Sequence, residues 1–140
     1  MPYPHEYTVA TYKFSDFLND VKEEADFGSP HMAYTMAQGV FQVFRRRVDI
    51  KSAIRFSNVL PVGMRALFVA DWDPDEEQLS FTDLKTMNQE VRHLRPDHNF
   101  ATETAIQDVA KALKKHVDQE KLREVLSGIS EEAVRFWGME

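Results

Sequence analysis

The sequence predicts an all-α protein in which two tandem four-helix repeats pack into one globular helical bundle. Three observations indicate this fold. Apolar residues recur every three to four positions along much of the chain, which is the period of an α-helix. The apolar pattern of residues 36–68 reappears at residues 105–137, shifted by 69 positions. Residues that favour helix starts also lie at corresponding places in the two copies.

The chain divides into four predicted parts. Residues 1–13 carry several apolar side chains, so we expect this N-terminal segment to lie on the helices. Residues 14–70 form the first helical repeat, residues 71–81 form an acidic linker, and residues 82–140 form the second repeat. Because a unit of a few short helices buries little of its own apolar surface, we expect the two repeats to cover each other.

Four helices are predicted in the first repeat, at residues 15–26, 30–47, 50–58 and 61–70. Each starts at a residue that suits a helix N-terminus. Ser and Asp side chains accept hydrogen bonds from free backbone N–H groups, and Pro fits the first turn. The expected start residues are Ser15, Ser29 followed by Pro30, Asp49 and Pro61.

The second repeat is predicted to contain helices at residues 82–95, 103–116, 119–127 and 131–138. Their expected start residues are Thr82, Thr102, Asp118 and Ser130. Asp118 corresponds to Asp49 after the shift of 69 positions, and Ser130 takes the place of Pro61. The match in capping positions strengthens the prediction of a repeat.

Composition and charge narrow the classes of function. The 140-residue chain has no cysteine, which removes disulfides and thiolate chemistry. Its longest strongly apolar run, residues 66–70, is far shorter than the roughly 20 residues of a membrane span. We therefore expect a soluble cytoplasmic protein that does not bind membranes. Of the net charge of −6, the second half carries −7 and the first half +1, which disfavours binding to nucleic acid.

Six short motifs are distinctive: Ala33-Tyr34-Thr35, Phe44-Arg45-Arg46-Arg47, Asn58-Val59-Leu60-Pro61, Trp72-Asp73-Pro74, Asp97-His98-Asn99-Phe100 and His116-Val117-Asp118. They resemble the bacterial domain-of-unknown-function 2267 family in its tandem-copy form, from about Tyr7 to Trp137. The resemblance implies an all-helical fold in a bacterial cytoplasm and implies no activity. The second copy departs from the Leu-Pro pair with Ile129-Ser130, where Ser can cap the helix instead.

Asp97, His98 and Asn99 precede the helix predicted to start near residue 103. A helix N-terminus offers free N–H groups to an anion, and histidine can transfer protons near neutral pH. These three residues are therefore candidates for ligand binding. The alternative, which we favour, is that they form a loop and cap the helix.

Asp71, Asp73 and Asp75 alternate in the linker, as at the start of a calcium-binding EF-hand loop. They are candidate metal ligands. The EF-hand template fails further along, because Glu76 stands where glycine is needed and Thr82 stands where a bidentate Glu is needed. We favour the alternative, in which the acidic linker is solvated and the Trp72 side chain packs in the core.

Two basic clusters close the second predicted helix of each repeat, Arg45-Arg46-Arg47 and Lys114-Lys115-His116. Cations at this end of a helix complement its negative dipole, which is the interpretation we favour over a nucleic-acid contact.

The first functional hypothesis is a non-enzymatic interaction module that presents a helical groove to a protein partner. The alternative is a small-ligand or enzymatic site in the cleft between the repeats, near Asp97, His98 and Asn99. Self-association into a homo-oligomer is a third interpretation. No catalytic residue and no cofactor is predicted, because the sequence contains no phosphate-binding glycine loop and no dinucleotide fingerprint.

Overall fold

The computed structural model describes residues 3–26, 28–94 and 101–140, and every regular element in these ranges is a helix. The all-α fold class is therefore confirmed. The helices are α1 His5–Thr8, α2 Ala10–Ala25, α3 Pro30–Arg45, α4 Ile50–Asn58, α5 Val62–Val69, α6 Leu84–His93, α7 Ala105–Lys114, α8 Gln119–Ile129 and α9 Glu131–Phe136. Within the described ranges, no helix is long and apolar enough to cross a membrane.

Several helices start where the sequence predicts. Asp49 Oδ1 accepts a hydrogen bond from Ser52 N at 2.6 Å and caps α4. Ser130 Oγ accepts one from Ala133 N at 3.0 Å and caps α9. The corresponding caps of α3 and α8 are Ser29, with Pro30 in the first turn, and Asp118. These side chains satisfy N–H groups that have no partner inside the helix.

Three predicted helix starts are wrong, those at Ser15, Thr82 and Thr102. Ser15 lies inside α2, which begins at Ala10, because residues 10–15 contain no glycine or proline to end the helix. Thr82 is also displaced, since Asp83 caps α6 by accepting a hydrogen bond from Thr86 N at 3.1 Å. Asp and Thr are both good caps, and the sequence places them side by side.

The start of α7 uses a cap from another helix. Thr102 was the predicted start, but α7 begins at Ala105. The side chain of Asn88, buried in α6, accepts a hydrogen bond from Ile106 N at 2.8 Å. Thr102 instead donates a hydrogen bond to Asp108 in α7 at 2.8 Å. A cap supplied by a residue distant in sequence leaves no local sequence signal.

The N-terminal segment differs from the expectation that it lies on the helices. It forms α1 and the first turn of α2, and its tyrosines face solvent. Tyr3, Tyr7 and Tyr12 are 81%, 52% and 74% exposed. Tyrosine tolerates such exposure because its hydroxyl remains hydrated.

The core is an aromatic cluster to which both halves of the chain contribute. The Phe44 ring lies 5.1 Å from the Phe136 ring and 5.4 Å from the Trp137 ring, between ring centroids. Trp137 also stacks on Phe56 at 5.4 Å and is fully buried. Helix α2 packs against α7, α3 against α6 and α7, and α4 against α8. The division into two equivalent four-helix repeats stays a prediction.

Candidate functional site

The basic cluster Arg45-Arg46-Arg47 mainly serves contacts inside the protein. Arg45 is only 5% exposed. Its Nη1 donates hydrogen bonds to the carbonyl oxygens of Phe68 at 2.9 Å and Ala70 at 2.8 Å. These carbonyls lie at the C-terminal end of α5, where helical partners are missing, so Arg45 caps α5 from α3. The guanidinium carbon also lies 5.5 Å from the centre of the Trp72 ring.

The other two arginines share one carboxylate. Arg46 Nη1 lies 3.0 Å from Glu90 Oε1, and Arg47 Nη1 lies 2.8 Å from Glu90 Oε2. Glu90 belongs to α6, so these ion pairs connect the end of α3 to the second half of the chain. Arg47 Nε also donates a hydrogen bond to the carbonyl of Ser80 at 3.1 Å. The linker is therefore held across the end of α3 by arginine side chains.

A cleft of about 480 Å³ opens where the linker, the end of α3 and the start of α4 meet. We call it the linker cleft. Its volume is within the range of small-molecule binding sites, about 300–1,000 Å³. It is lined by Arg45, Arg46, Val48, Asp49, Ile50, Lys51, Trp72, Pro74, Glu76, Glu77 and Gln78.

Two residues that line this cleft each have a side-chain atom without a hydrogen-bond partner. Arg45 Nε and Glu76 Oε1 are both buried and unpaired among the described residues. Burial lowers the pKa of the Arg45 guanidinium, and the nearby Glu76 and Asp71 carboxylates act in the opposite direction. An unpaired buried donor or acceptor is unfavourable by roughly 1–3 kcal/mol in proteins. Among the described residues five buried side-chain atoms lack hydrogen-bond partners, and two of the five belong to residues that line this cleft, which draws attention to it.

A second, apolar groove of about 430 Å³ lies between α2, α3 and α5. We call it the α5 groove. The ring of Phe14 meets the ring of Tyr34 edge to face at 6.4 Å. Small residues of α5 and of the start of α2 complete it. The lining residues are Ala10, Thr11, Phe14, Tyr34, Gly63, Ala66, Leu67 and Ala70.

The exposed side of α5 is apolar. Ala66 is exposed and Val69 is 45% exposed. The one charged residue of α5, Arg65, folds back and donates hydrogen bonds to the carbonyls of Ser57 at 3.2 Å and Leu60 at 3.1 Å. The solvent side of a surface helix normally carries charged or polar residues, and the exposed side of α5 carries none. The outer side of α5 is therefore an uncovered apolar surface.

The candidate ligand-binding residues Asp97, His98 and Asn99 lie outside the described residues. Of the candidate metal ligands, Asp73 Oδ1 accepts a hydrogen bond from the backbone N–H of Asp75 at 2.9 Å, which forms a local turn. Across the described ranges, no three His, Cys, Asp or Glu side chains gather as a metal site would require. Metal binding by Asp71, Asp73 and Asp75 stays a prediction.

Sequence reasoning missed the structural role of Arg45 and the exposed side of α5. The signal for Arg45 was present, because it follows Phe41 by four residues and so belongs to the buried face of α3. The signal for α5 was the apolar run at residues 66–70, in which positions 66, 69 and 70 share one face. Neither signal shows whether neighbouring helices cover that face.

A family model described as an uncharacterized conserved protein (DUF2267) matches residues 14–136. The match confirms the resemblance carried by the short motifs. No protein with curated function matches the chain. Since the family model covers most of the chain, including every residue that lines the linker cleft, this chain belongs to the DUF2267 family.

Proposed function

We propose that this protein is a non-enzymatic interaction module that binds an amphipathic helix of a protein partner in the α5 groove. The observation that carries this proposal is the uncovered apolar side of α5, from which the charge of Arg65 is withdrawn. Apolar patches that stay exposed beside a groove are typical of protein-interaction sites.

The helix α9 provides an internal comparison. Like α5, it is short and follows a longer helix, but its exposed positions are Glu131, Glu132 and Arg135. Charged residues are the ordinary choice for the solvent side of a helix. The exposed Ala66 and Val69 of α5 depart from this rule, which supports a binding role for that side.

The size and lining of the groove suit a helix. Helix α5 has eight residues and is therefore about 12 Å long, or two turns of a partner helix. Ala10 and Ala66 have small side chains, so the backbone of a partner can approach closely. Phe14 and Tyr34, both partly exposed, are available to contact apolar side chains spaced three to four residues apart on the partner.

The substitution Ala66→Arg tests this proposal, because it places a large charge in the groove at an exposed position. Its matched control is Ser127→Arg, at an exposed position of α8. Both variants and the wild type are used to capture proteins from a lysate of the source organism. The molar masses of the purified wild type and of the two variants are measured by light scattering. We expect one partner to bind the wild type and the control and to lose at least about tenfold in affinity for Ala66→Arg.

Other outcomes are informative. A wild-type dimer that only Ala66→Arg converts to a monomer would identify a second copy of the chain as the occupant. The groove would have no role if the wild type is a monomer and every captured partner binds Ala66→Arg as tightly as it binds the wild type. The alternative from the sequence, a ligand or enzymatic site between the repeats near Asp97, His98 and Asn99, stays a prediction.

A further inference from the structure

We infer that the linker cleft binds a small zwitterion of the free amino acid class, with its carboxylate on Arg45 and its ammonium on Glu76. This site is separate from the α5 groove and does not depend on the function proposed for it. Two of the residues that line the cleft each have a buried polar atom without a partner, the donor Arg45 Nε and the acceptor Glu76 Oε1. A ligand that carries both an acceptor and a donor satisfies the two atoms together.

Arg45 is suited to hold a carboxylate. Its Nη1 is fixed by the carbonyls of Phe68 and Ala70, and its guanidinium lies over Trp72, so its orientation is set before a ligand arrives. The edge that contains Nε is left unpaired. A guanidinium edge of this kind binds carboxylates with two parallel hydrogen bonds. A pre-oriented side chain loses little entropy on binding.

Glu76 supplies the opposite end of the site. Its Oε2 lies 3.9 Å from Arg46 Nε, a long ion pair, while Oε1 has no partner. Glu76 is in the linker, outside any helix, and its side chain is 29% exposed. Both unpaired atoms have almost no accessible surface, so binding of the ligand requires a neighbouring side chain of the lining to move.

The remaining lining favours a ligand without net charge. Three cationic side chains, Arg45, Arg46 and Lys51, face three anionic ones, Asp49, Glu76 and Glu77. A simple anion would meet the carboxylates, and a simple cation would meet the arginines and the lysine. Apolar residues Val48, Ile50 and Pro74 also line the cleft and can accept an aliphatic side chain.

The test uses three probes of nearly the same size and shape. L-leucine carries both charges, isocaproate lacks the ammonium and isoamylamine lacks the carboxylate. Each is titrated into the full-length protein to about 10 mM while backbone amide resonances are recorded. We expect saturable shifts with L-leucine at the amides of Arg46, Ile50, Trp72 and Glu76, with a dissociation constant below about 1 mM. Each of the other probes should bind at least about tenfold more weakly.

A matched pair of variants tests the role of the carboxylate. Glu76→Gln keeps the shape of the side chain and removes its charge, and Glu124→Gln does the same at an exposed position of α8. We expect about tenfold weaker binding of L-leucine by Glu76→Gln and unchanged binding by Glu124→Gln. Thermal unfolding of both variants is measured to check that the fold is retained.

Three results would overturn the inference. One is that L-leucine and the other amino acids in a panel of all common types cause no saturable shift. Another is that isocaproate binds as tightly as L-leucine, which would indicate a plain anion site. The third is that the shifts of the wild-type protein lie on helices away from the cleft. These readouts use the wild-type protein, so they decide the question even if a variant fails to fold.

Discussion

Arg45 illustrates how one side chain connects two helices and the linker. It emerges from the end of α3, caps the carbonyls at the end of α5 and lies over Trp72 in the linker. Burying a guanidinium is unfavourable unless its hydrogen bonds are replaced, and here two are replaced by backbone carbonyls. The position of Arg45 therefore fixes the geometry of the linker cleft.

Replacing Arg45 with Met tests this capping role. Met fills similar space but leaves the Phe68 and Ala70 carbonyls without their donor. We expect a loss of about 2–4 kcal/mol in the free energy of unfolding, measured by urea denaturation. The control Arg55→Met, at an exposed position of α4, should change it by less than about 0.5 kcal/mol. Equal losses in the two variants would argue against the capping role.

The caps of α4 and α6 predict how stability depends on pH. Hydrogen bonds from Ser52 hold the pKa of Asp49 below its ordinary value of 3.8, and hydrogen bonds from Thr86 do the same for Asp83. A lowered pKa in the folded state means that the unfolded state binds more protons in acid. The stabilisation is therefore full above the ordinary pKa and is lost as the pH falls through the folded pKa.

The substitution Asp49→Asn separates the cap from its charge, because Asn also caps helices well. We expect similar free energies of unfolding for variant and wild type at neutral pH. As the pH falls through the ordinary pKa of 3.8 and below it, the wild type should lose more stability than the variant. Asp83→Asn should act in the same direction, and the two changes should add. An acid dependence identical to that of the wild type would show that these carboxylates do not contribute.

Helix packing around α5 depends on a glycine. A Cβ atom on Gly63 would come within 2.8 Å of the Phe14 Cβ, so α2 and α5 approach as closely as they do because Gly63 has no side chain. Gly128, in α8, differs, because a Cβ atom on it would have no atom from elsewhere in the protein within 4 Å. The two glycines therefore have different reasons to be present in their helices.

Alanine at each glycine should have opposite effects. We expect Gly63→Ala to lower the free energy of unfolding by about 1–3 kcal/mol, because Phe14 and its helix must move. Gly128→Ala should raise it by about 0.5–1 kcal/mol, because alanine favours the helical backbone. Urea denaturation of the two variants measures both effects. Stabilisation by Gly63→Ala would mean that α2 and α5 are less tightly packed than the structure indicates.

Local signals in the sequence account for most helix positions. Ser29, Asp49, Asp118 and Ser130 are predicted as caps and act as caps, because an N-cap is an interaction within four residues. The start of α7 was misplaced because its cap, Asn88, comes from another helix. The candidate sites also differ in whether their residues are close together in the sequence or come together only in the fold. The acidic linker could be found from its composition, whereas the linker cleft depends on three segments that meet only after folding.

The aromatic core indicates that the two halves of the chain fold as one unit. Phe44 and Phe56, from the first half, contact Phe136 and Trp137, from the last helix and the residue after it. The Asp20 carboxylate, in α2, also lies 2.6 Å from His116 Nε2, just after α7. Each half alone would expose several large side chains that are fully buried in the intact protein.

Separate fragments of residues 1–81 and 82–140 test this unity. Burial of one large apolar side chain contributes about 1.5–3 kcal/mol, and a typical domain is stable by only about 5–15 kcal/mol. Phe41, Phe44 and Phe56 in one fragment lose their ring contacts with Phe136 and Trp137 in the other, and this loss removes most of the stability of either fragment. We expect neither fragment to show a cooperative thermal transition by circular dichroism, and an equimolar mixture to regain helical signal. The full-length chain is the control. A cooperative transition in one isolated fragment would show that this half folds without the other.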